Sequence, residues 1–164
     1  TFYNKTPEEI QQMTFNLVTF VQSGGSIYVS DWAYFWAEMA FPDIIDYYGD
    51  DTQEGVAKVG IVYDALVANV VSDSFQRALD GAETITIQFN WPAWVLAESV
   101  SFSSTVHILA PTVQTFTSTL HDVPLVVSHK PTPTSGTVFF TSFHHEAQLT
   151  RQMEEVLRFL VFQL

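Results

Sequence analysis

Gly24-Gly25-Ser26-Ile27-Tyr28-Val29-Ser30-Asp31-Trp32 is the run on which the fold class turns. Two glycines stop whatever precedes them, because glycine enters the left-handed cap conformation at little cost. Ser26 to Ser30 then reads as a short strand, and a helix from Trp32 to Met39 follows, ended before Phe41-Pro42. Upstream, Thr6-Pro7-Glu8-Glu9 opens a first helix: Thr6 caps it, Pro7 takes the first helical position, and Glu9 completes a T-x-x-E box. Ile10, Met13, Leu17, Val18 and Val21 recur at helical spacing and form one apolar stripe. A helix, a glycine turn and an apolar strand make half of a βαβ unit. Such a helix is normally the crossover after a strand, so the pattern predicts a first strand that is missing here or supplied by another chain.

Further along, Thr84 to Phe89 alternates at period two, as a strand with one buried face does. Val56 to Tyr63, Thr105 to Leu109, Val123 to Val127 and Thr137 to Phe143 are further strand candidates, and Lys130 to Gly136 is a Pro-rich loop. Ser72 to Leu79 reads as a short helix capped by Ser72 or Asp73. Glu146 to Phe162 closes the chain as a helix with Leu149, Met153, Val156, Leu157 and Leu160 on its apolar side. No repeat or linker divides the chain, so 1–164 reads as one domain, a size that one core supports. The order predicts an α/β three-layer sandwich with a mixed, mostly parallel sheet. Ser26–Ser30 would lie centrally, covered by helices 7–22 and 146–162.

Composition removes whole classes of function. Six Lys+Arg against eighteen Asp+Glu leave a net charge of −12, which excludes a duplex nucleic-acid binder and disfavours anionic lipid. Charged residues are 15% of the chain and hydrophobic ones 47%, the profile of a folded domain. No apolar run approaches the ~20 residues of a membrane-spanning helix, so no membrane insertion is expected. Cysteine is absent, which excludes disulfides, thiolate zinc sites and a Cys nucleophile. Scarce charge and many Ser and Thr between Ser99 and Ser142 point towards an extracellular or cell-envelope setting, and nothing else fixes the compartment.

The chemistry-bearing segment lies near the other end. Gly136-Thr137-Val138-Phe139-Phe140-Thr141-Ser142-Phe143-His144-His145-Glu146 leads from a strand into a helix. It resembles the closing segment of class I glutamine amidotransferase-like domains, in which a strand ends in Phe-His-Pro-Glu before the last helix; His145 stands where that motif has Pro. The lead-in to Ser30 is similar to that of trehalose-utilisation-type members of the same superfamily. The resemblance implies a flavodoxin-like fold, with His144 as base, Glu146 as its orienting carboxylate, and a nucleophile at the strand-to-helix turn, where Ser30 stands. Without Cys the thioester route is excluded, and a serine hydrolase or peptidase with a Ser30/His144/Glu146 triad is the catalytic alternative. Tyr28 and Trp32 crowd that turn, where a strained elbow wants small residues, so a degenerate scaffold is favoured in which Ser30 or Asp31 caps the next helix.

Aromatic residues are the second signal, at 15% of the chain. Trp32, Tyr34, Phe35 and Trp36 make one helical turn apolar nearly all round, so more than one face needs cover. Trp32 and Trp36 suit a protein–protein interface, where aromatics are enriched. Trp91 and Trp94, flanking Pro92, suit a carbohydrate-binding module. A metal on His144, His145, Glu146 and Asp31 is the lesser use of those residues, and no metal or cofactor is expected. Asp43, Asp46, Asp50 and Asp51 lack calcium-loop spacing and read as a solvated loop. Asn4-Lys5-Thr6 fits the glycosylation sequon, and His107, His121 and His129 read as strand-surface or loop residues. The expected function is a non-catalytic binding or assembly subunit of a larger complex. Its partners would be other protein chains, across an interface above ~1,000 Å² at the 31–48 region or the sheet edge.

Overall fold

The computed structural model of the chain describes residues 5–49, 56–57, 59–61, 65–89, 91, 93–145, 148 and 150–163. Helix α1 spans Pro7–Gln22 and starts with the expected reciprocal cap. Glu9 N–H donates to Thr6 Oγ1 at 3.2 Å, and Thr6 N–H donates to Glu9 Oε2 at 2.9 Å. Gly24, at φ +102°, turns the chain into strand β1, Ile27–Ser30. A 3-10 turn over Asp31–Ala33 then leads into α2, Tyr34–Ala40. Short strands β2 (Ile45–Tyr47) and β3 (Val59–Gly60) precede β4 (Ala65–Val70), α3 (Asp73–Ala78) and β5 (Thr84–Gln88). After β6 (Trp94–Val95) and β7 (Ala97–Val100) come the long strands β8 (Thr105–Gln114) and β9 (Thr119–His129). Strand β10 (Val138–Thr141) and helix α4 (Arg151–Gln163) complete the order.

A six-stranded sheet carries the fold, in the order β1-β10-β9-β8-β4-β5. Two ribbons, β2 with β7 and β3 with β6, flank it. The chain is thus α/β with a mixed sheet, but two expectations need correction. One of the five pairings in the large sheet is parallel, β1 with β10, and the other four are antiparallel. Strand β1 is an edge strand, not a central one. The physical reason is the segment 105–129, which is one long hairpin with Thr105 opposite Ser128 and Gln114 opposite Thr119. A tight hairpin can only be antiparallel, whereas a parallel neighbour needs a crossover, and no helix separates β8, β9 and β10.

Two apolar clusters form the core. One gathers Phe75, Ile85, Ile87, Ile108, Leu125 and Met153; the other gathers Val21, Val29, Tyr34, Tyr47 and Phe140. Strand β10 feeds both, with Phe139 in the first and Val138 and Phe140 in the second, as alternation along a strand requires. Each fully buried side chain of this size is worth ~1.5–3 kcal/mol. Helix α4 buries Met153, Val156 and Leu160 of its expected stripe, while Leu157 is half-exposed and Leu149 lies outside the described residues. Helix α1 behaves differently from expectation: only Val21 of its stripe is fully buried, and Met13, Phe15 and Phe20 are exposed. With β1 at the edge, α1 packs on α2 instead of covering a central strand.

One close approach fixes α1 to β10. Gly136 N–H donates to the Val21 carbonyl at 2.8 Å, and a Cβ at Gly136 would overlap the Gly25 carbonyl. Only glycine lets these two backbone segments meet, and the meeting aligns β1 beside β10.

Candidate functional site

Because β1 and β10 run parallel, with Ser30 opposite Thr141, their C-terminal ends emerge at the same end of the sheet. The structure therefore brings the 30–32 turn and the 143–145 segment together, as the sequence suggested. Tyr28 OH donates to Thr141 Oγ1 at 2.7 Å, and Thr141 Oγ1 donates to the Phe143 carbonyl at 2.8 Å, tying the two exits. His145 packs its ring on Tyr28 and on Phe143, each at 5.6 Å between centroids. Glu146 lies outside the described residues.

The residue that faces His144 is Asp31. His144 Nε2 stands 3.8 Å from Asp31 Oδ2, beyond hydrogen-bond length, so the two form an ion pair only when the imidazole is protonated. Ser30 is ordinary extended backbone, at φ −125° and ψ 138°, and its side chain makes no capping bond to the following turn. The strained position is one residue later: Asp31 has φ +44°, in the left-handed region where Asp and Asn are the best tolerated residues after glycine. The crowding by Tyr28 and Trp32 thus does not prevent a strained turn; it coincides with one at Asp31. Nor does Asp31 Oδ1 cap that helix. It accepts from Val95 N–H at 2.7 Å, a buried bond to another element.

Asp31 is 1% exposed. Burial pushes its carboxyl up to about 7, against the opposing pull of the Val95 N–H. Near neutral pH Asp31 is therefore a carboxyl that burial keeps partly protonated, and its 3.8 Å separation from His144 Nε2 is too long for direct proton transfer. A nucleophile must reach substrate, and Asp31 has one oxygen committed to Val95 and almost no exposed surface. The sequence carried a signal for Asp31, as Asp immediately after a strand end, but composition and spacing give no sign of its burial.

The aromatic candidates separate. Trp94 is 1% exposed and stacks on Phe89 at 4.2 Å, so the Trp91–Trp94 sugar platform is corrected: its second ring belongs to the core. Trp91 is exposed. Tyr34 and Phe35 are buried, Trp32 is 37% exposed, and Trp36 faces a groove. Of the acidic loop, Asp43 and Asp46 are exposed as expected, whereas Asp50 and Asp51 are outside the described residues, as is Asn4 of the sequon. His107 needs correction too, being buried at 4% exposure rather than on a strand surface. Among the described residues no three His, Asp or Glu side chains could share a metal ion.

The groove was not anticipated. It encloses about 750 Å³ between α1, β1 and α2, and Met13, Leu17, Phe20, Tyr28 and Trp36 line it. The readable signal was Phe15 and Phe20, which widen the apolar stripe of α1 beyond what one packed face needs. At the opposite edge of the sheet a side chain bonds the last residue of β5. Gln88 N–H of β5 donates to Gln148 Oε1 at 3.0 Å, and Gln148 Nε2 donates back to the Gln88 carbonyl at 2.6 Å. At that one residue the side-chain amide makes the two bonds a neighbouring strand would make. No protein-family model matches this chain, and no curated protein matches its sequence.

Proposed function

We propose that this chain is a binding or assembly domain, without chemistry at the β1–β10 end, whose groove along β1 receives an extended segment of another polypeptide. The observation that carries this reading is the asymmetry of the two sheet edges. The β5 edge has the Gln148 amide bonded to the backbone of Gln88, whereas β1 ends the sheet beside an apolar groove of ligand size. Open edges accept strands, with main-chain bonds for affinity and alternate side chains in pockets for specificity. Charge indicates the partner. Between Lys5 and Lys58 the sequence has no Lys or Arg and nine Asp or Glu, so the segment received carries apolar residues flanked by basic ones. A second copy, with its own −12, is the poorer occupant.

The amidotransferase-like superfamily remains part of this proposal. Its support is the parallel β1–β10 pair, the adjoining strand ends and the division of β10 between two clusters, which also supports three layers at that end. The antiparallel remainder weighs against a flavodoxin-like order. The serine-hydrolase alternative, Ser30 with His144 and Glu146, keeps the adjacency of the strand ends in its favour, and the Asp31–His144 geometry against it. A carbohydrate-binding module is left with the exposed Trp91 alone. An extracellular or envelope setting stays an inference from composition.

Titration of a synthetic strand peptide, alternating Val and Thr with Lys at both ends, tests the reading through tryptophan fluorescence, to which Trp36 in the groove contributes. Saturable binding that Phe20→Ser weakens at least ~10-fold supports it, as loss of an aromatic anchor does in a groove. No saturation, or a dimer by light scattering in the absence of peptide, overturns it.

A further inference from the structure

A hydrogen-bonded chain of three side chains joins α3, β8 and β9. Ser72 Oγ meets His107 Nδ1 at 2.8 Å, and His107 Nε2 meets Ser128 Oγ at 2.7 Å. Ser72 is the N-cap of α3, His107 lies on β8 and Ser128 on β9. The imidazole is clamped face to face on Phe75, with 4.4 Å between ring centroids. The chain opens into a cavity of about 310 Å³, also lined by Ser74, Ser103, Lys130, Phe139 and Phe159. Ser128 itself is half-buried and lines that cavity.

A hydroxyl within hydrogen-bond reach of an imidazole, with a third group orienting the imidazole, is the general geometry of an activated nucleophile. The tautomer fits. Ser72 Oγ already accepts from Phe75 N–H at 3.3 Å, and its remaining lone pair can take Nδ1–H of His107. That leaves the Nε2 lone pair facing Ser128. Burial lowers the imidazole pKa to about 4, so the ring is neutral at pH 7 with its Nε2 lone pair facing the Ser128 hydroxyl, and it is a weak base. Ser74, Ser103 and Lys130 place donors in the same cavity for charge developing on an oxygen.

We propose that Ser128 and His107 form an acyl-transfer centre for short-chain esters, with Ser72 as a positioning residue. Ser128 Oγ attacks the ester carbonyl carbon while Nε2 takes its proton. Collapse of the tetrahedral species breaks the bond to the alcohol oxygen, which leaves with that proton. Water then attacks the acyl-Ser128 ester, gives its proton to Nε2, and the carboxylic acid departs as Ser128 regains its hydrogen. Phe139 and Phe159 offer the acyl chain an apolar wall. A buried, weakly basic imidazole suits esters with good leaving groups better than amides. The proposal is independent of the β1 groove.

The test uses a fluorophosphonate probe and p-nitrophenyl acetate on the whole chain. One adduct, mapped to Ser128, is expected, and Ser128→Ala, which keeps the fold by circular dichroism, should remove it and slow ester hydrolysis by ~100-fold or more. Thr117→Ala, in the β8–β9 turn, is the control and leaves both unchanged. Ser72→Ala should lower kcat with KM unmoved, and Ser72→Thr, which restores the hydroxyl, should recover it. No adduct, an adduct elsewhere, or undiminished hydrolysis by folded Ser128→Ala overturns the proposal.

Discussion

Asp31→Asn separates the charge of this side chain from its geometry. Asn keeps an acceptor for Val95 N–H and tolerates positive φ, so the 2.7 Å bond and the turn at φ +44° both survive. What changes is titration. The Asp31 carboxyl rises from its ordinary 3.8 to about 7 in the folded chain. The folded state therefore keeps a proton that the unfolded state releases. The contribution to stability is greatest below pH 3.8, falls as pH rises towards about 7, and is flat above that. At 1.36 kcal/mol per unit, the rise amounts to about 4 kcal/mol lost by neutral pH. In urea unfolding from about pH 4 to pH 8, the wild type should lose this stability and Asp31→Asn should not. Groups that do not interact with Asp31 cancel in the difference between the two curves, which should approach about 4 kcal/mol at the alkaline end, where the neighbouring imidazole is neutral, in favour of the variant. Parallel curves, or a variant less stable throughout, would refute the buried, raised carboxyl.

Two further substitutions probe the frame around it. Thr6→Ala removes the capping box of α1 and should cost ~1 kcal/mol in urea unfolding; no loss would mean that α1 gains nothing from that cap. Gly136→Ala forces a methyl against the Gly25 carbonyl and strains the bond to Val21, at ~1–3 kcal/mol, so its Tm should fall by several degrees. An unchanged Tm would show that the α1–β10 junction yields freely.

Local rules were readable where local chemistry decides the outcome. Thr6, Pro7 and Glu9 announced α1, Gly24-Gly25 its end, and Thr84 to Phe89 a half-buried strand, and all three occur, the strand ending at Gln88. What depends on strand neighbours was not readable. An apolar Ile27-Tyr28-Val29 suits a central strand and an edge facing an apolar groove equally well, and the hairpin around Phe116 decided between them. The alternation of β8 misled about His107, because register shifts on both sides of Ile108 turn His107 and Ile108 inward together. The strand Ala65–Val70 was missed, since Ala-Leu-Val-Ala-Asn-Val has no clean period of two. At the candidate site the sequence brought the right segments together and named Ser30, but the strained, buried neighbour of His144 is Asp31. The burial of that carboxylate and its bond to Val95, 64 positions away, belong to tertiary packing, which no local pattern encodes.

The central claim is that β1 is an edge held open for another polypeptide. Hydrogen exchange of the amides in Ile27–Ser30, with and without the Lys-flanked strand peptide, tests it most directly. Strand addition predicts that exchange in β1 slows by ~10-fold or more at saturating peptide while β5, which has no such groove beside it among the described residues, keeps its rate. Unchanged exchange in β1, or equal slowing at both edges, would contradict the account.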